Sequence, residues 1–128
     1  MAYQDILFRL DGPVARISVN RPERLNALAN RTADELRLAL AEAEREGARA
    51  VLLTGEGRAF GAGYDLSSVE AAPELDRVLR DHFNPLIRAM REASLPIVSA
   101  VQGAGAGVSV ALALAADVVI AARSAYFL

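Results

Sequence analysis

An α/β fold with a mostly parallel sheet is predicted by three short apolar runs and by the segments that follow them. Residues 50–54, Ile97–Val101 and Val118–Ala121 are rich in β-branched residues and have the length of buried strands. The first two runs are each followed by a glycine-rich loop and then by a segment with a helical pattern. Strand–loop–helix units in series predict parallel pairing through crossover helices.

The composition limits the class of protein. The chain has 128 residues, of which 53% are hydrophobic and 23% charged, as expected of one globular domain. Its net charge of −2 provides no basic field, so no nucleic-acid partner is expected. Without cysteine and with a single histidine, neither a disulfide framework nor a metal site is expected. The first residues do not resemble a signal peptide, and no membrane association is expected, so a cytoplasmic protein is predicted.

The chain begins with a predicted hairpin followed by a loop. Residues 6–10 and Val14–Val19 flank a turn formed by residues 11–13, Asp-Gly-Pro, which is typical of a connection between antiparallel strands. Residues 20–28 have no hydrophobic period and are predicted to form a loop.

Two amphipathic helices are predicted next. Thr32 is the expected N-cap of the first, because Glu35 follows at the capping-box spacing, and that helix should end near Gly47. Apolar residues recur at helical spacing over residues 73–90 and predict the second, which Pro85 should interrupt or kink.

Residues 95–117 form the central pattern of the chain. After the predicted strand Ile97–Val101, glycine occupies every second position at Gly103, Gly105 and Gly107. Residues 108–116 are then small and apolar on all sides, which predicts a helix that is buried all round and too short to cross a bilayer. Free backbone amides at the start of such a helix would bind an oxygen that is becoming negative.

The two glycine-rich loops are predicted to lie close together. Residues 55–66 follow one predicted strand and residues 102–107 follow another, and the carboxyl ends of parallel strands share one edge of a sheet. Two loops rich in backbone amides could therefore converge on one ligand. The chain closes on the apolar residues 126–128, from which we expect it to be part of a longer chain.

Three motifs resemble the crotonase superfamily of enoyl-CoA hydratases and isomerases. NRPERLNAL (20–28), GRAFGAGYDL (57–66) and LPIVSAVQGAGAGVSVALALAADVVIA (95–121) are similar to family motifs and occur in the family order. The resemblance implies a crotonase-like ββα spiral with a buried central helix, of which residues 1–128 would be the N-terminal part of a single core domain. It also implies a homotrimer or a hexamer, an acyl-CoA thioester as substrate, and no cofactor beyond that thioester.

The resemblance also assigns roles to individual residues. The backbone amides of Tyr64 and Val108 would stabilise the thioester enolate, since fixed N–H dipoles favour developing negative charge. Arg24 would bind a phosphate of coenzyme A, because a guanidinium can form paired hydrogen bonds to it. The substrate-binding positions implied are Glu23, Arg24, Leu25, Ala27, Ala62, Gly63, Asp65, Leu66, Ala104, Ala106 and Gly107.

One departure from the family pattern bears on the reaction. Hydratases of the family carry a glutamate on the central helix, and Ala111 stands at that position. Alanine cannot accept a proton, whereas a double-bond shift can proceed with a single base. An isomerase is therefore favoured over a hydratase, and the phenylacetate-degradation enoyl-CoA isomerase branch is the most similar. The family's other acidic residue would lie beyond Leu128.

Two alternative functions remain open at this stage. Residues 107–111 approximate the G-x-S-x-G nucleophile elbow, so Ser109 could serve a serine acyl-hydrolase, with His82 as a candidate partner. The absence of the helix glutamate is also compatible with a noncatalytic subunit that binds acyl-CoA or supports assembly.

Structural roles are expected for several polar residues near these motifs. The Tyr64 side chain is expected to pack, and Asp65 to cap a helix rather than to catalyse. Asp117 is expected to mark a helix end or a strand start, and His82 to lie on the surface of a charged helix.

Overall fold

A five-stranded sheet organises the part of the chain that the computed structural model describes, residues 2–68 and 75–128. Along the chain, the strands are β1 (Ile6–Asp11), β2 (Val14–Val19), β3 (Ala50–Gly55), β4 (Ile97–Val101), β5 (Ala104–Gly105), β6 (Val118–Ala121) and β7 (Tyr126–Phe127). The large sheet has the order β1-β2-β3-β4-β6, and β5 pairs with β7 in a separate ribbon.

The strand directions agree with the predicted α/β class. Strands β1 and β2 form an antiparallel hairpin whose turn contains Gly12 at φ +58°. The pairs β2–β3, β3–β4 and β4–β6 are all parallel. The carboxyl ends of β3 and β4 therefore lie at the same edge, and both glycine-rich loops leave from it.

Helices cover one face of the sheet. They are α1 (Asn30–Arg45), α2 (Leu75–Val78), α3 (Asn84–Glu92) and α4 (Val108–Leu114). On the covered face, Ile17, Val51 and Ile97 pack among Leu36 of α1 and Leu86 of α3 in the hydrophobic core. In β3 and β4 alternate residues are buried and the others are half-buried. The prediction that these strands are buried therefore holds for one face of the sheet and only in part for the other.

The start of α1 differs from the sequence prediction. The N-cap is Ala29, and Thr32 lies in the first turn, where its hydroxyl accepts a hydrogen bond from the Ala29 amide at 3.1 Å. Glu35 instead accepts hydrogen bonds from the amides of Gln4 and Asp5, on the chain that leads into β1. The prediction of Thr32 as N-cap was wrong because the carboxylate of Glu35 serves a distant segment. The end of α1 near Gly47, at φ +80°, is confirmed.

Pro85 interrupts the second helix, as predicted, through a single wide turn. Residues Leu79–Phe83 form a π-helical turn between α2 and α3, and the Asn84 amide donates to the Leu79 carbonyl. This turn ends two residues before Pro85, which lacks an amide hydrogen of its own. The start predicted at residue 73 lies outside the described residues.

The predictions that α4 is buried all round and that β6 is a buried strand were both wrong. In α4, Ser109 and Leu112 are buried, whereas Leu114 is 60% exposed. In β6, Val118 and Ile120 are exposed, the latter by 61%. The apolar pattern of α4 and β6 predicts hydrophobic surfaces on both elements. The described part of this chain covers only one side of α4 and one side of β6.

Within the described ranges, no helix is both long enough and apolar enough to span a membrane.

Candidate functional site at two glycine-rich loops

Asn26 anchors the loop of residues 20–28 to the first glycine-rich loop. It is fully buried at φ +57°, a left-handed conformation that asparagine tolerates better than most residues. Its side-chain amide donates to the carbonyls of Glu56 and Ala59, both at 2.7 Å, and its oxygen accepts from the Arg21 amide at 2.8 Å. Sequence reasoning missed this residue, although asparagine in a loop without a period is a known signal for such a conformation.

Arg21 provides the second anchor of the same loop. Its guanidinium donates to the Ala27 carbonyl at 2.5 Å and to Asp65 Oδ2 at 2.8 Å, and its Nε lies 3.9 Å from Asp5 Oδ1. The planar guanidinium of arginine carries several N–H donors in a fixed geometry, so it can bind several acceptors at once. The role of Arg21 was also missed, because its carboxylate partners, Asp5 and Asp65, are distant in the sequence.

Asp65 caps a short helical turn, as expected. Its Oδ1 accepts hydrogen bonds from the amide of Ser67 at 3.0 Å and from the Ser67 hydroxyl at 2.6 Å, within the 3₁₀ turn Leu66–Ser68. The Ser67 hydroxyl bond, followed by the bond from Arg21, lowers the pKa of this buried carboxyl group to about 2, although burial alone would raise it. Asp65 is therefore a charged structural group in this loop.

Arg24 lies beside this cap with its guanidinium half exposed. One terminal nitrogen donates to the Ser67 hydroxyl at 2.5 Å and lies 3.8 Å from Asp65 Oδ2. Among the other positions in the same loop, Glu23 and Leu25 are exposed and Ala27 is half-buried. In the first glycine-rich loop, Ala62 is exposed and Leu66 is 74% exposed.

The two glycine-rich loops contact each other through their backbones, which confirms that they share one edge of the sheet. The Phe60 amide donates to the Gln102 carbonyl at 2.8 Å. Gly61 donates to the Ala104 carbonyl at 3.0 Å and accepts from the Ala106 amide at 2.9 Å. The loops are thus joined residue by residue.

Gly63 and Gly107 lie in contact where the two loops meet. They adopt φ angles of +105° and +56°. A Cβ atom on Gly107 would lie 3.4 Å from the Gly63 Cα, and one on Gly63 would lie 3.3 Å from the Ala106 carbonyl oxygen. Only glycine combines these backbone conformations with so short a distance between the two loops.

The Tyr64 and Val108 amides directly follow these two glycines. Around Tyr64, the Leu28 amide donates to the Gly63 carbonyl and the Asp65 amide donates to the Leu28 carbonyl, so the Tyr64 amide points away from Leu28. Val108 opens α4, where no carbonyl of its own helix is available to its amide. Within the described part of the chain, neither amide donates a hydrogen bond.

Side chains near this junction have structural partners. The Tyr64 hydroxyl donates to Asn30 Oδ1 at 3.0 Å, and its ring packs edge-on against Phe83 with centroids 5.7 Å apart. The expected packing role of Tyr64 is confirmed. Asp117 Oδ2 accepts from the Ile97 amide at 2.8 Å, directly before β6, which confirms its place at a strand start.

The geometry does not support Ser109 as a nucleophile. Its side chain is fully buried, and its hydroxyl oxygen accepts a hydrogen bond from the Gly63 amide at 3.2 Å. His82 is partly buried rather than a surface residue, and its Nδ1 lies 2.9 Å from Asp34 Oδ1. A nucleophile elbow requires an exposed serine oxygen, and this one is enclosed.

The sequence of the chain matches the family model described as enoyl-CoA hydratase/isomerase over residues 9–128. The chain belongs to the enoyl-CoA hydratase/isomerase family. This confirms the resemblance found in the three motifs and the crotonase-like fold class.

Curated members of the enoyl-CoA hydratase/isomerase family are similar over the whole chain. A probable enoyl-CoA hydratase of Rhodobacter capsulatus is 46% identical over 129 residues, covering 100% of this chain and 50% of the relative. The 1,2-epoxyphenylacetyl-CoA isomerase of Escherichia coli K12 is 40% identical, covering 95% of this chain and 49% of the relative. The chain therefore spans about half the length of the curated relatives it matches.

Solved structures of the family superpose on the same residues. A protein of Mycobacterium avium subsp. paratuberculosis K-10, named as an enoyl-CoA hydratase, has a TM-score of 0.88 at 30% identity and covers 100% of this chain and 51% of its own. A Thermobifida fusca YX protein, also named as an enoyl-CoA hydratase, was solved in complex with acetoacetyl-CoA. It has a TM-score of 0.82 at 30% identity, covering 96% of this chain and 52% of its own.

Proposed function

We propose that this chain provides the enolate-stabilising part of an enzyme that acts on acyl-CoA thioesters. The observation that supports the proposal is the pair of Tyr64 and Val108 amides, which lack hydrogen-bond acceptors within the described chain and follow two glycines in contact. A thioester enolate carries its negative charge on one oxygen. Each fixed amide donor aimed at such an oxygen contributes about 3 kcal/mol.

The loop of residues 20–28 would bind the coenzyme A moiety. The Arg24 guanidinium is half exposed, and Ser67 and Asp65 orient it without enclosing it, so it retains donors for a phosphate. Exposed neighbours in the two loops, Glu23, Leu25, Ala62 and Leu66, would complete this surface. The Thermobifida fusca relative in complex with acetoacetyl-CoA is consistent with a ligand of this class.

Isomerisation is favoured over hydration because Ala111 cannot activate water. Its position on α4 is exposed and carries no group able to accept or donate a proton. The Escherichia coli relative named as an isomerase supports this preference, whereas the Rhodobacter capsulatus relative carries a hydratase name. The proposal includes a homotrimer or hexamer in the cytoplasm and requires no cofactor besides the thioester.

Binding of acetoacetyl-CoA tests the proposed oxyanion site directly, because its bound enolate has a distinct ultraviolet absorbance. We expect the purified protein to raise the enolate fraction of the ligand. Val108→Pro removes the amide hydrogen at the first position of a helix, where proline is accepted, and should lower enolate formation about 100-fold. Val108→Ala retains the amide and should behave like the unaltered protein. Equal enolate formation by Val108→Pro would refute the proposed role.

Turnover assays distinguish the reaction types. We expect slow hydration of crotonyl-CoA and faster migration of the double bond in a 3-enoyl-CoA. Rapid hydration of crotonyl-CoA would overturn the isomerase preference. Tight binding of acyl-CoA without any turnover would instead indicate the noncatalytic subunit.

A further inference from the structure

Ser109 connects the two glycine-rich loops through a buried hydrogen bond. Its side chain has no solvent exposure, and its Oγ accepts from the Gly63 amide at 3.2 Å. Gly63 belongs to the first loop and Ser109 follows the second, 46 residues later. Because both groups are removed from water, the bond has no solvent substitute.

The space around Ser109 is matched to the size of its side chain. A Cβ atom on Gly61 would lie 2.3 Å from the Ser109 Oγ and 2.7 Å from its Cβ. Real Cβ atoms do not approach other atoms so closely, so the hydroxyl fills the volume that Gly61 leaves open. The contact is therefore fixed both by a hydrogen bond and by packing.

We propose that Ser109 is a positioning residue that sets the separation of the Tyr64 and Val108 amides. Ser109 directly follows Val108, and its partner Gly63 directly precedes Tyr64. One hydrogen bond thus joins the immediate neighbours of both proposed donors. An oxyanion must lie about 2.7–3.1 Å from each donor, so a small change in the separation of the loops weakens both contacts. This inference rests on the proposed function.

The test compares two buried serines. Ser109→Ala removes the acceptor of the Gly63 amide while retaining the Cβ atom. We expect it to lower the enolate fraction of bound acetoacetyl-CoA about 10- to 100-fold and to leave the affinity for free coenzyme A unchanged. Ser99→Ala is the control, because Ser99 is equally buried and lies three residues before Gln102 of the second loop. Its Oγ has no hydrogen-bond partner among the described residues. It should leave both measurements unchanged.

Hydrogen exchange tests the same bond in both the unaltered protein and the variant. In the unaltered protein, the Gly63 amide should exchange slowly, because it is buried and bonded to Ser109. In Ser109→Ala, its exchange should accelerate, whereas that of the Phe60 amide, bonded to Gln102, should not. Fast exchange at Gly63 in the unaltered protein would overturn the proposal even if Ser109→Ala failed to fold.

The outcomes separate the two proposals. If the unaltered protein forms the enolate and Ser109→Ala forms it equally well, the positioning role is overturned and the oxyanion site stands. If the unaltered protein binds acetoacetyl-CoA without forming enolate, the proposed function is overturned and the positioning role with it.

Discussion

The buried carboxyl group of Asp65 stabilises the loops at the candidate site through its charge. Its bonds to Ser67 and Arg21 hold its pKa near 2, below the ordinary value of 3.8. A depressed pKa means that the ionised carboxylate stabilises the folded protein above about pH 4, and that this contribution is lost as the pH falls towards 2. The acid sensitivity of the protein should therefore depend in part on this one residue.

We expect Asp65→Asn to lower the free energy of unfolding by about 2 kcal/mol at pH 7, with the difference from the unaltered protein shrinking between pH 4 and pH 2. Urea unfolding at several pH values measures this difference. The same substitution at the exposed residue Asp81 should have little effect at any of these pH values. A loss in Asp65→Asn that is independent of pH would show that the charge of Asp65 is not what stabilises the loop.

At the scale of single elements, α1 is incompletely capped. Its N-cap, Ala29, has no side-chain oxygen, although Thr32 already accepts a hydrogen bond from the Ala29 amide. Ala29→Ser would supply the missing half of the capping box, and we expect it to raise the free energy of unfolding by about 1 kcal/mol. Chemical denaturation measures the change.

A matched substitution within the helix provides the control for the cap. Ala41 is exposed in the middle of α1, where serine is a poorer helix former than alanine. Ala41→Ser should therefore lower the free energy of unfolding by a few tenths of a kcal/mol, opposite in sign to the change at Ala29. The same sign at both positions would contradict the assignment of Ala29 as the cap.

The elements differ in how far their sequence determines them. Strands β2, β3 and β4 and the two glycine-rich loops were predictable, because apolar runs and glycines are local signals. The cap of α1 was not, since Glu35 is satisfied by amides 30 and 31 residues away. The Arg21–Asp65 pair was missed for the same reason, being separated by 44 residues. Local spacing does not reveal partners that only the fold brings together.

At the scale of the whole molecule, large apolar side chains are exposed on α4, on β6 and over residues 126–128. They are Leu114, Val118, Ile120, Tyr126, Phe127 and Leu128. Strand β6 also forms one edge of the five-stranded sheet, where its outer backbone groups lack a neighbouring strand within the described chain. An exposed apolar edge strand favours pairing with other chains, and exposed apolar side chains bind hydrophobic dyes. The association state of the chain in solution should therefore depend on its concentration.

We expect the isolated chain to self-associate as its concentration rises, and Ile120→Lys to reduce that association, because a lysine on an edge strand must be desolvated before another strand can pair with it. Sedimentation velocity at several concentrations measures the association, and the fluorescence of a hydrophobic dye should fall in parallel. Leu10→Lys places the same charge on β1, at the opposite edge of the sheet, and should change neither measurement. If both lysine variants reduced association equally, net charge rather than the β6 edge would be the cause. A chain that stays monomeric and binds no dye would show that these exposed apolar side chains do not drive association in water.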